Sequence, residues 1–170
     1  QSGGQPLCEE SSSGATTQEE WVIDFSSLSP AERARWVSIV LPTTPEVPPL
    51  TVLEVVQLGR LPHRHASLSQ RDEPTFVDSV LHRCGIAHLA SRPMHALSDG
   101  QRQRVMLARA VAQDTPILLL DEPTNFLDFQ ATQEVFALLH QLAHEEQKLV
   151  IVATHHLDWA QHHAHPVLQL

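Results

Sequence analysis

Residues 97–128 constrain this chain more than any other stretch. Leu97-Ser98-Asp99-Gly100-Gln101 leads into a helix-like run from Arg102 to Gln113. Pro116 breaks that run, and Ile117-Leu118-Leu119-Leu120 then flows straight into Asp121-Glu122-Pro123-Thr124 and Asn125-Phe126-Leu127-Asp128. An uninterrupted apolar run of this length is the mark of a strand buried in a parallel sheet. Two adjacent carboxylates at its end are what such a strand delivers to a phosphate site. One acid, Asp121, can hold Mg²⁺, while its neighbour, Glu122, can polarise an attacking water.

The rest of the chain supplies alternating strands and helices around that segment. Residues 1–20, rich in Gly, Ser, Thr, Gln and Glu, form a disordered or loop segment. Trp21-Val22-Ile23-Asp24-Phe25 has the pattern of a short strand. Ser29 with Glu32 makes a capping box, with Pro30 in the first turn of the helix that it opens. Val37–Leu41 is a second short apolar strand, and prolines at 42, 45, 48 and 49 then forbid regular structure. Thr51 with Glu54 caps another helix, which runs to about Leu58 with Gly59 near its end. Phe76, Val77, Val80 and Leu81 recur at helical spacing from Pro74 to Cys84, and Gly85 stops them. Residues 86–96 pass through a short helix and a Pro93 loop. Gln130–Gln147 carries Val135, Leu138, Leu139 and Leu142 on one face; Lys148–Thr154 is a strand, Leu157–His165 a helix, and Val167–Leu170 begins another strand. The alternation implies an α/β fold with a parallel sheet, interrupted by a helical insertion over residues 44–92.

Charge and composition narrow the partners. A net charge of −9 argues against a nucleic-acid partner or an acidic membrane reached through a basic face. Cys8 and Cys84 form no framework, which fits a reduced, cytosolic setting. No apolar run approaches the roughly 20 residues of a membrane-spanning helix, and no signal peptide is visible.

Residues 97–128 resemble the signature motif, Walker B motif and D-loop of ATP-binding cassette (ABC) ATPases, in that family's order and spacing. The resemblance extends over roughly residues 21–170 and implies a P-loop NTPase-like core: 21–43 and 93–170, with residues 44–92 as its helical subdomain. ATP and Mg²⁺ are then the cofactors, with Asp121 as the Mg²⁺ ligand and Glu122 as the catalytic base. His155 stands where the family places its switch histidine, touching the γ-phosphate and holding the attacking water with Glu122. His156 stands where an Asp is more usual. Ser98 and Gln101 form a capping box whose free N–H groups and positive helix end suit an anion. By resemblance, Ser98, Gly100 and Gln101 serve the nucleotide of a second ATP-binding subunit across a dimer, and Asp128 belongs to the D-loop. Asp99 replaces the family's usual Gly; its carboxylate is expected to point away from phosphate.

Two departures stand out. The family's phosphate cradle needs a G-x-x-x-x-G-K-[ST] loop, yet the six glycines form no such loop and Lys148 is the sole lysine. The pattern implies a piece of a longer protein cut after its P-loop, N-terminal part missing, or a cassette that never had one. Alone it is expected to bind Mg-ATP negligibly, to show no ATPase activity, and to leave strand edges and a core face open. The family's Q-loop glutamine also gives way to Pro42, with Thr43 next, which bears on coupling to the helical subdomain.

Leu50–His63 and the tail Thr154–Ala160 are similar to ATPases that energise import of iron–siderophore, haem or cobalamin. This implies transmembrane permease subunits as partners and a peripheral location on the cytoplasmic face of the inner or plasma membrane. Alternatives are a soluble ABC ATPase of translation or repair, or a regulatory cassette that does not hydrolyse ATP. His63-Arg64-His65 and His162-His163-Ala164-His165 are expected to be solvated surface histidines rather than a metal site. Trp21, Trp36 and Trp159 are expected to be packing residues.

Overall fold

A computed structural model describes residues 24–43, 49–63 and 73–156. Three strands, β1 (Val37–Val40), β2 (Ile117–Asp121) and β3 (Leu149–Ala153), lie side by side in the order β1-β2-β3. Both pairings are parallel, with Val37 opposite Ile117 and Ile117 opposite Leu149. The register therefore brings all three carboxyl ends to one edge, where open α/β sheets bind their ligands.

The helices are α1 (Pro30–Trp36), α2 (Val52–Leu58), α3 (Glu73–Arg83), α4 (Asp99–Ala112) and α5 (Phe129–His144). All three expected capping boxes form: Ser29 with Glu32, Thr51 with Glu54, and Ser98 with Gln101. Hydrogen bonds from the Ser29 and Thr51 hydroxyls and backbone N–H groups hold the Glu32 and Glu54 carboxyls below their ordinary range. Gly85 ends α3 with φ +68°, a conformation that suits a residue without Cβ. Residues 86–96 hold two short 3₁₀ turns, Ala87–Leu89 and Met94–Ala96, where one short helix was expected.

One sheet face carries Ser38, Val40, Leu118 and Leu120, all buried, against α4 and α5. The core continues into α2 and α3 through Val52, Val55, Val56, Val77, Val80 and Leu81. The opposite sheet face is open: Ile39, Leu149 and Ile151 are each about half exposed, at 54%, 55% and 51%. Burying both faces is the rule for parallel sheets, and among the described residues these three apolar side chains depart from it.

Several local expectations change. Asp24 and Phe25 lie in a turn rather than a strand, because Asp24 spends its carboxylate and carbonyl on Ser26 and Ser27. Trp36 is 39% exposed and is not a core residue; it sits at the α1 terminus, where the chain turns directly into β1. His63 is partly buried, not a solvated surface histidine, and its Nε2 lies 2.7 Å from the Gln113 carbonyl oxygen. The segment 1–20, Trp21–Ile23, His65, and the expected helix and strand after residue 156 lie outside the described residues, as do Cys8 and Trp159.

Candidate active site

The Asp-Glu pair sits where β2 ends. Asp121 is the last strand residue and is exposed. Glu122 leaves the sheet with φ +47°, yet its N–H still donates to the Ala153 carbonyl of β3 at 2.9 Å. A non-glycine residue in left-handed geometry is uncommon, and such strain concentrates at functional sites. The bend turns the Glu122 side chain toward the segment following β3. There His155 Nδ1 lies 2.9 Å from Glu122 Oε2, the ring donating in the tautomer protonated at Nδ1. The His155 ring stacks on His156 at 4.4 Å between centroids, and His156 meets the fully buried Phe136 ring edge-on. Phe136 on α5 thus anchors the ring stack behind the acid–imidazole pair.

Asp121 makes no ion pair among the described residues. An ion of the Mg²⁺ type takes one or two protein carboxylates and completes its shell with phosphate oxygens and water. A single open carboxylate at a strand end fits that requirement.

The segment from Glu122 to Asp128 is wound tightly. Asn125 N–H donates to the Glu122 carbonyl at 3.1 Å, and Leu127 N–H to the Thr124 carbonyl at 3.2 Å. Phe126 has φ +65° and is largely exposed. Asp128 caps α5 by accepting from Ala131 N–H at 2.7 Å. Gly100, in the first turn of α4, lies directly against this loop: a Cβ there would sit 2.7 Å from the Phe126 carbonyl oxygen. The Asp99 carboxylate pairs with Arg102 at 3.0 Å.

Of the expected site residues, Glu122 and His155 come together, and Gly100 meets the loop that carries Asp128. Ser98 and Gln101 cap one another, and no hydrogen bond or ion pair joins them to Glu122 among the described residues. They line instead an open cleft of about 260 Å³ shared with Gly100, His88, Phe126 and Asp128. Neither Glu122 nor His155 lines that cleft.

The ABC transporter family matches residues 10–125. The chain belongs to that family. Family membership accounts for the order of cap, helix, acid-ended strand and tight loop on the sheet edge. FhuC of Bacillus subtilis, an iron(3+)-hydroxamate import ATP-binding protein, is 42% identical over 133 residues, 77% of this chain and 49% of that protein. CbrD of Dickeya dadantii, an achromobactin transport ATP-binding protein, is 43% identical over 140 residues, 81% of this chain and 51% of that one. The chain therefore spans about half the length of these relatives. A dimeric ATP-binding cassette in a post-hydrolysis state with ADP and Pi superposes with a TM-score of 0.72 at 30% identity, covering 82% of this chain and 62% of the other. A metal-chelate type ABC transporter in an inward-facing conformation superposes at 0.61 and 32% identity, covering 74% and 51%.

Residues that sequence patterns did not single out cluster at the far end of α4. Gln113 donates through Nε2 to the Ala34 and Val37 carbonyls at 2.7 and 3.0 Å. Arg60 Nη1 donates to the Ala112 carbonyl at 3.0 Å. These contacts join α4 to α1, β1 and the turn after α2. Their partners lie 50 or more residues apart, so no local pattern announces them. Thr124 lies within the acid-bearing segment, and its buried hydroxyl has no partner in the described structure.

Proposed function

We propose that this chain is the hydrolytic and signature half of an ATP-binding subunit that energises import of an iron–siderophore, haem or cobalamin. The observation that carries the hydrolytic part is the 2.9 Å contact between Glu122 and His155 at the carboxyl end of a parallel sheet. Glu122 takes the proton of the attacking water through a carboxylate oxygen, and its second oxygen stays bonded to His155. The imidazole fixes the carboxylate rotamer and presents its other nitrogen to the phosphate side. Asp121 would hold Mg²⁺, which would supply charge neutralisation on the terminal phosphates. Positioning and electrostatic stabilisation supply most of the catalysis in phosphoryl transfer.

Ser98, Gly100 and Gln101 serve the nucleotide of a second ATP-binding subunit. Support comes from the capped α4 start, whose free N–H groups and dipole favour an anion, and from the cleft there, which Glu122 does not line. Residues 21–43 and 93–170 act as the core and 44–92 as the helical subdomain, with permease subunits as partners. The complex then works at the cytoplasmic face of the membrane. Among the described residues no helix is long and apolar enough to cross it. The import assignment rests on relatives named for hydroxamate and achromobactin transport.

The test uses the complete cassette that contains this chain. Glu122→Gln should keep ATP binding while lowering hydrolysis by about 10²–10⁴-fold, the usual contribution of a general base. Hydrolysis near the wild-type rate would remove Glu122 from that role.

A further inference from the structure

The solvent side of α5 ends on His140 and His144, four residues apart and both exposed. Their ring centroids lie 4.1 Å apart with planes inclined at 34°. The helix is clamped to the core by Val135, Phe136, Leu138, Leu139 and Leu142, so the pair stands on a fixed backbone. Residues one turn apart on a helix have Cβ atoms about 5–6 Å apart. From that separation small side-chain rotations aim one nitrogen of each ring at a common point. The same His-x-x-x-His spacing holds zinc in a well-known helical motif.

The local field favours a cation. His144 is the last residue of α5, at the negative end of its dipole. Glu145 follows and is exposed, while Glu146 is already paired with Arg83. The His144 carbonyl accepts from Gln147 Nε2 at 2.7 Å, and Gln141 donates to Glu145 at 3.0 Å, which steadies the last turn. No cluster of three or more metal-ligating side chains occurs among the described residues, so the pair would act as two ligands with further positions open.

We propose that His140 and His144 form a two-imidazole site for a late first-row divalent ion on the outer face of α5. Imidazole nitrogen suits Zn²⁺, Ni²⁺ and Cu²⁺, and Cu²⁺ should bind tightest. Each ring supplies one nitrogen, and water fills the remaining positions. Holding the second imidazole in place should strengthen binding at least about tenfold over a lone histidine, through its effective concentration.

Calorimetric titration of the 170-residue chain with Zn²⁺, Ni²⁺ and Cu²⁺ tests this. Because the chain has twelve histidines, three variants are compared: His140→Ala, His144→Ala, and a combined His162→Ala, His163→Ala, His165→Ala chain. The wild type and the combined variant should each bind one ion at this site with equal affinity. Each single variant should bind it at least about tenfold more weakly. Both side chains are exposed, so the single variants should keep the wild-type circular dichroism spectrum. Unchanged affinity in either single variant overturns the proposal. Loss of the site in the combined variant overturns it as well.

Discussion

Gly100→Ala tests how tightly the start of α4 is coupled to the loop after β2. The new methyl carbon would lie 2.7 Å from the Phe126 carbonyl oxygen and 3.2 Å from Leu127 Cδ2. A carbon–oxygen contact of this kind settles near about 3.3 Å, so the loop must retreat by roughly 0.6 Å. It has little freedom to do so, because the Glu122–Asn125 turn pins it at one end and the Asp128 cap of α5 at the other. Overpacking of this kind costs about 1–3 kcal/mol. Alanine returns up to about 1 kcal/mol of helix propensity, less in a first turn. The strain wins, and a net loss of about 1–2 kcal/mol is expected. Urea unfolding of the chain measures it, and hydrogen exchange at the Leu127 amide reports the loop directly. Phe126→Gly removes the side chain at φ +65° and frees the loop to move. In the double variant the Gly100→Ala cost should shrink by at least about 0.5 kcal/mol, a coupling that neighbouring residues show. Unchanged stability together with unchanged Leu127 exchange in Gly100→Ala would refute the coupling.

Gln113→Ala should cost about 1–3 kcal/mol in urea unfolding, since two hydrogen bonds at about 0.5–1.5 kcal/mol each disappear; a loss under about 0.5 kcal/mol would show that the α4 end is held by its other contacts. Burial pushes the Cys84 thiol up to about 12 from an ordinary value of 9.0. Its folded value lies above its unfolded one, so its contribution to stability is complete below about pH 9 and is lost as pH rises toward 12. The unfolding midpoint should therefore fall from pH 8 to pH 10.5 more in the wild type than in Cys84→Ala, and equal falls would contradict the assignment.

Local chemistry made much of this molecule legible. Each capping box needs two residues three apart, and all three formed where Ser29, Thr51 and Ser98 stand. The apolar run ending in Asp121 and Glu122 became β2, and the spacing of Val135, Leu138, Leu139 and Leu142 became the buried stripe of α5. Family resemblance, carried by the order of those motifs, pointed to the acids and to His155. What local patterns by themselves could not supply was the geometry that joins distant segments. The strand at Trp21–Phe25 was expected from apolar content alone, whereas Asp24 and Phe25 follow the hydrogen bonds of a turn. Trp36 was expected to be a packing residue, but at the end of α1 it is 39% exposed. Only the parallel register brought His155 to Glu122, 33 residues earlier in the chain. Only close packing set Gly100 against the Phe126 carbonyl, and only the tertiary fold joined Gln113 to Ala34 and Val37. Caps and apolar periods are written within one or two turns of chain. Contacts across the sheet edge depend on how whole elements stack, and a linear pattern carries no record of that.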